Sequence, residues 1–106
     1  MSPEQIQACI AACATCAREC TQFCDAHRDD ATMLVCVINC RDCAELCEIC
    51  ALGLETGARV IKALCLACAA ACELCIDAFR QLEPNGFREC AEACNRCAAL
   101  CRTLVG

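Results

Sequence analysis

Tryptophan and tyrosine are absent from this 106-residue chain, phenylalanine occurs three times and histidine once. Platforms for stacking bases are therefore nearly absent. The nine Lys and Arg residues stand singly rather than in a basic stripe, and the net charge is −5, so nucleic acid is excluded as a natural partner. With one histidine, no base is repeated beside candidate nucleophiles, and the chain reads as non-enzymatic. Long apolar runs are lacking too: the longest charge-free apolar run, Ala63 to Cys72, is about half a membrane span. The amino terminus, "MSPEQIQACIAAC", has no basic segment and no extended apolar stretch before a cleavage site. The expectation is a cytoplasmic protein in a reducing compartment, with no membrane partner. Large aliphatic and aromatic side chains number only about two dozen, thin for the core of the single domain (1–106) that the length implies.

What is present instead is sulfur: 18 cysteines, beside 20 alanines. They fall into four blocks. The first is Cys9, Cys13, Cys16, Cys20 and Cys24; the second is Cys36, Cys40, Cys43, Cys47 and Cys50. The third is Cys65, Cys68, Cys72 and Cys75; the fourth is Cys90, Cys94, Cys97 and Cys101. Every step within a block is three or four residues, which at helical pitch confines each set to an arc of roughly 80°. A strand would scatter the same residues over both faces.

Helix punctuation separates the blocks. "DAHRDDAT" (25–32) ends the first helix and offers Asp29 or Asp30 as a cap for the second. "GLETG" (53–57) provides Gly53 and Gly57 to terminate or bend, and "EPNG" (83–86) reads as a turn. Such short connections predict an all-α, antiparallel up-down-up-down four-helix bundle with a cysteine-lined core. The third helix carries Val60, Leu64, Leu66, Ala67, Ala70, Ala71 and Leu74 besides its cysteines, leaving a polar strip of Lys62, Glu73 and Asp77. A helix apolar nearly all round is buried on more than one side. Leu34, Ile38, Ile49 and Leu52 on the second helix add to that surface, and a homo-oligomer through helices 2 and 3 is the expectation.

The sulfurs admit several uses. As mere filler, cysteine offers nothing that alanine, valine or leucine lacks, and it adds the risk of oxidation. Neighbours at i,i+3 and i,i+4 have Cβ atoms about 5–6 Å apart, wider than the roughly 3.5–4.5 Å a disulfide wants. A thiol oxidoreductase or redox sensor needs one exposed, low-pKa cysteine and a resolving partner, not an even repeat through a core. Metal remains. Soft thiolates select Cu(I), zinc and iron–sulfur clusters. Neither ferredoxin spacing is present, and zinc wants closed sites of four ligands, whereas this cadence marks no boundaries between sites. A zinc or mixed-metal thiolate buffer is the rival within the class. Cu(I), bridged among two or three thiolates, suits a continuous ladder, and one Cu(I) per thiolate leaves the filled core neutral.

The blocks "CIAACATCAREC", "CRDCAELCEIC", "CLACAAACELC" and "CAEACNRCAALC" resemble the bacterial copper storage proteins, and the lack of an export signal is similar to their cytosolic branch. The resemblance implies a cysteine-lined bundle storing many Cu(I) ions, commonly as a tetramer, with all 18 cysteines as ligands. Phe79 stands four residues after Cys75, where related sequences often continue with cysteine, and 81–87 lacks the histidines often found there.

An antiparallel bundle also has two distinguishable ends. Ile6, Leu54, Ile61 and Leu104 gather at one as an aliphatic plug. His27, Met33, Phe79 and Phe87 gather at the other, where His27 follows Cys24 by three residues and Met33 precedes Cys36 by three. The reading is that this end is the mouth, with His27 and Met33 as weaker metal ligands. The alternative gives them structural work only: His27 capping carbonyls or lying in solvent, Met33 filling the bundle end.

Overall fold

In the computed structural model, which describes residues 1–82 and 87–106, the chain forms four long helices. They are α1 (Pro3–His27), α2 (Leu34–Thr56), α3 (Ile61–Arg80) and α4 (Arg88–Val105), with a 3-10 turn at Ala31–Met33. The EPNG turn lies outside the described residues.

Local chemistry sets the ends. Ser2 and Gln5 close a capping box: the Ser2 hydroxyl accepts from the Gln5 N–H at 3.1 Å, and the Ser2 N–H donates to Gln5 Oε1 at 3.1 Å. Pro3 occupies the first helical position, where its missing donor costs nothing. Of the two candidate caps at 29–30, Asp30 is used. Its Oδ1 accepts from the Thr32 N–H at 3.0 Å and the Thr32 hydroxyl at 2.7 Å, opening the 3-10 turn that leads into α2. Gly57 ends α2 in the left-handed region, φ 69°, its N–H bonded to the Gly53 carbonyl. Gly53 itself neither ends nor bends the helix. A Cβ there would lie 2.8 Å from Leu64 Cδ1 and 3.3 Å from Ile61 Cδ1, so this glycine lets the start of α3 close onto α2.

Each helix packs on its sequence neighbours, and α1 also packs on α4, closing a square. The bundle measures 40 × 18 × 18 Å. Sulfur–sulfur contacts fix its antiparallel sense: Cys9 at the start of α1 meets Cys101 at the end of α4 at 3.6 Å, and Cys20 meets Cys90 at 3.7 Å. On the outside, Arg102 clamps Glu73 across α3 and α4, Nε to Oε2 at 2.9 Å; both side chains are about half exposed, so solvent screens the pair.

The core is unusual in where its large side chains lie. Every cysteine except Cys24 is buried, with alanines flanking the shaft they form. Among the described residues, the bulky buried ones stand at the two ends: Leu54 and Leu104 at one, Phe23, Phe79 and Phe87 at the other. Ile6 and Ile61 are partly buried beside the leucines, as the plug reading requires. On α2 and α3, Leu34, Val35, Ile38, Ile49, Leu52, Val60, Leu66 and Leu74 are exposed. Leu64 and Ala71, which the sequence pattern set among the outer residues of α3, turn inward instead, Leu64 beside Gly53 and Ala71 into the core.

Candidate metal-storage shaft

The three-and-four cadence stacks the sulfurs in layers, because each helix contributes one cysteine per turn and all four helices run at similar pitch. From the leucine end, the first layer is Cys9, Cys50, Cys65 and Cys101, with Cys50 and Cys65 at 3.7 Å. The second is Cys13, Cys47, Cys68 and Cys97, joined by contacts of 3.6 to 3.9 Å. In the third, Cys16 touches Cys43, Cys72 and Cys94 at 3.7 to 3.8 Å, and Cys43 touches Cys72 at 3.5 Å. The fourth is Cys20, Cys40, Cys75 and Cys90. Contacts also join layers, as from Cys43 to Cys47 at 3.9 Å and from Cys20 to Cys94 at 3.8 Å.

Among the described residues, four sets of four thiols and one set of three have all their sulfurs within 4.8 Å of one another. The sets overlap: Cys16 and Cys72 belong to two, as do Cys43 and Cys94. Overlap matters chemically. A closed tetrahedral ion would claim its four sulfurs outright, whereas ions that share bridging thiolates can fill sets with common members.

Burial and mutual hydrogen bonding govern the protons. Desolvation pushes the Cys24 and Cys36 thiols above their ordinary value, and desolvation with the neighbouring Cys50 pushes Cys65 up to about 12. Deeper in, the thiols act on one another. Cys43 is drawn down because Cys16, Cys20 and Cys47 hydrogen-bond to it, and Cys47 is driven up by its bonds with Cys13, Cys16 and Cys43. An S–H that donates steadies its neighbour's thiolate and becomes harder to ionise itself. Neighbouring sulfurs cannot all ionise unless cations lie between them.

The structure brings 14 of the predicted ligands into the multi-thiol sets. Cys9 and Cys65 sit just outside them, each touching one other thiol. Cys24 and Cys36 stand alone at the far end, where Cys24 donates to the Val37 carbonyl at 3.3 Å. His27 joins no set; its ring packs on Phe23 at 4.5 Å and on Phe87 at 5.6 Å between centroids. Met33 is partly buried against the same end of the core. Phe23, not among the residues assigned to this end from sequence, is at its centre, 5.2 Å from Phe79 and 5.3 Å from Phe87. On the helical count it lies about 20° beyond the cysteine arc of α1, a signal that was present but faint.

A bundle whose axis is a continuous column of close, reduced thiols is a metal-thiolate store. The family follows from comparison with known proteins: residues 2–106 match the family described as "Copper storage protein", and the chain belongs to that family. A curated relative, the cysteine-rich protein YhjQ of Bacillus subtilis (strain 168), is 28% identical over 102 residues, covering 93% of this chain and 94% of its own. Among solved structures, the chain is similar to apo copper storage protein 3 from Bacillus subtilis, with TM-score 0.82 and 29% identity over 94% of this chain and 98% of that one. It is likewise similar to Cu(I)-bound copper storage protein BsCsp3, with TM-score 0.86 and 27% identity over 96% of this chain and 99% of that one.

Proposed function

We propose that the chain, acting as one domain over 1–106, stores Cu(I) along the shaft at close to one ion per cysteine, about 18 at capacity, since neutrality of a buried core demands that balance. All 18 cysteines are ligands in this reading. The observation that carries it is the overlap of the thiol sets, which favours bridged, low-coordinate ions over separate tetrahedral ones. Filling exchanges each S–H proton for a copper ion, so binding and proton release run together. Storage needs no catalytic step, and no base stands among the thiols of these sets.

The His27 end is the mouth, because the leucine end is packed with aliphatic side chains that offer copper no donor. Cytoplasmic residence is part of the proposal: thiols this close together stay reduced only in a reducing compartment. Among the described residues, no helix is long and apolar enough to cross a membrane. The exposed aliphatic strip on α2 and α3 supports a homo-oligomer as the arrangement that covers it, and the family resemblance favours a tetramer.

An anaerobic titration tests this. Reduced protein should withhold Cu(I) from a chromophoric competitor until loading approaches the cysteine count. Saturation at about four zinc ions without comparable copper capacity would favour the closed-site reading. Rapid reversible oxidation of one cysteine pair would favour a redox role.

A further inference from the structure

The His27 end is closed on one side and open on the other. Above the fourth layer the ladder continues on two helices only: Cys24 on α1 and Cys36 on α2. The corresponding places hold Phe79 on α3, one turn past Cys75, and Phe87, three residues before Cys90 at the entrance to α4. Phe79 and Phe87 stack at 5.7 Å with an interplanar angle of 7°, Phe23 meets both edge-on, and His27 lies across Phe23 and Phe87. This half of the opening is a plug of ring carbons.

The α1–α2 half differs. Cys24 is the one cysteine that is not buried, and its thiol points at the Val37 carbonyl on α2. Cys36 is 4% exposed, and Met33 is partly buried one turn further out. Cu(I) crossing the aromatic half would shed its soft donors in mostly apolar surroundings, where His27 and Cys90 are the donors along the α1–α4 groove. Along the seam a donor waits at each turn: the Met33 thioether, the Cys36 and Cys24 thiols, then Cys40 and Cys20 of the fourth layer.

We propose that Cu(I) enters and leaves through the seam between α1 and α2, and that Cys24 and Cys36 form a two-thiolate transfer site distinct from the storage layers. The inference rests on the storage reading. In each transfer a Cu–S bond forms to Cys24 or Cys36, the thiol proton passes to water, and one bond to the carrier's soft ligand breaks. Copper stays monovalent throughout. A groove between α1 and α4, lined by Glu19, Phe23, His27 and Cys90, is the competing route.

The test is stopped-flow uptake of Cu(I) from a chromophoric competitor complex by the full chain under anaerobic conditions. Two double variants each lose two thiols that lie outside the multi-thiol sets: Cys24→Ala/Cys36→Ala and Cys9→Ala/Cys65→Ala. Both should lose about two ions of capacity, but only the first should slow uptake, by about tenfold or more, with the second within about twofold of the parent. Met33→Ala, a milder change that keeps every thiol, should slow uptake more than His27→Ala; far-UV circular dichroism checks the fold of each. Equal rates in the two double variants, or a larger loss in His27→Ala than in Met33→Ala, would overturn the seam. A parent protein whose capacity falls far below its cysteine count would instead refute storage, and that is read from the amplitude rather than the rate.

Discussion

If copper is passed from sulfur to sulfur, removing one layer should break the chain of transfer. The third layer, Cys16, Cys43, Cys72 and Cys94, is the place to cut. Consecutive cysteines on a helix are three or four residues apart, so layers rise by about 5 Å, and deleting one leaves about 11 Å between the sulfurs on either side. A metal–thiolate bond is about 2.3 Å, the value for zinc. An ion can therefore bridge neighbouring layers but cannot bridge the gap. In the quadruple Cys→Ala variant, the mouth side keeps Cys24, Cys36 and the fourth layer, so about six ions should load rapidly. The eight thiols beyond the gap should fill in a much slower phase, to a final total of about 14. The control removes the layer at the leucine end, Cys9, Cys50, Cys65 and Cys101, which also leaves about 14 ions but interrupts nothing.

Each Cys→Ala change deletes one buried atom and costs about 1 kcal/mol, so either quadruple variant loses roughly 4 kcal/mol of a typical 5–15. The two are matched in this respect, and thermal unfolding followed by circular dichroism confirms that both are folded at the assay temperature. Competitor absorbance resolves the phases. A single rapid phase to about 14 ions in the third-layer variant would refute transfer along the ladder from one end.

Further outcomes can be checked independently. Leu52→Asp with Leu66→Asp should lower the sedimentation mass of the proposed oligomer while leaving copper per chain unchanged, because both side chains are exposed and lie away from the shaft. Gly57→Ala, forced to keep φ near 69°, should lose about 1 kcal/mol of stability, read as a lower Tm with unchanged capacity. Burial holds the Cys24 and Cys36 thiols above their ordinary value, so they are protonated at neutral pH and release a proton when copper binds. An ion held by both thiolates displaces two protons, so affinity at this pair should weaken about a hundredfold for each unit the pH falls, measured by competitor titration at several pH values. Phe79→Cys, which adds a thiol one turn past Cys75, should raise capacity by about one ion.

The shaft was legible because helical geometry leaves sulfurs spaced by three and four no choice of face. Position alone sends Cys16, Cys43, Cys72 and Cys94 to one level once the bundle is antiparallel. The aliphatic end was equally plain, since Leu54 and Leu104 extend their helices' cysteine stripes. What the pattern obscured was lateral. A stripe specifies depth along the axis, but not which neighbour a ring at its margin will lean on. Phe23 lies just off its arc, and its role depends on Phe79 and Phe87 arriving from α3 and α4. His27 illustrates the same limit. Its register continues the α1 ladder, yet its ring rests on phenylalanines, because the α4 side of the opening is filled by carbon. Gly53 reads as a helix breaker by type; only the approach of Leu64 and Ile61 reveals that it stays helical to admit them.

The placement of carbon and sulfur also explains how one core serves two states. Before loading, buried thiols pack as small apolar groups and bond weakly to one another, so no buried side-chain nitrogen or oxygen among the described residues is left unpartnered. After loading, copper takes the place of the S–H protons in the same layers. Large aliphatic or aromatic side chains within the shaft would hold the apo bundle more firmly, but they would occupy the volume the ions need. Confining Phe23, Phe79 and Phe87 to one end and Leu54 and Leu104 to the other resolves that conflict, since rings and leucines add apolar burial beyond the column without displacing a single donor layer. The shaft can then be built almost wholly of ligand, and its capacity is set by the number of helical turns it spans.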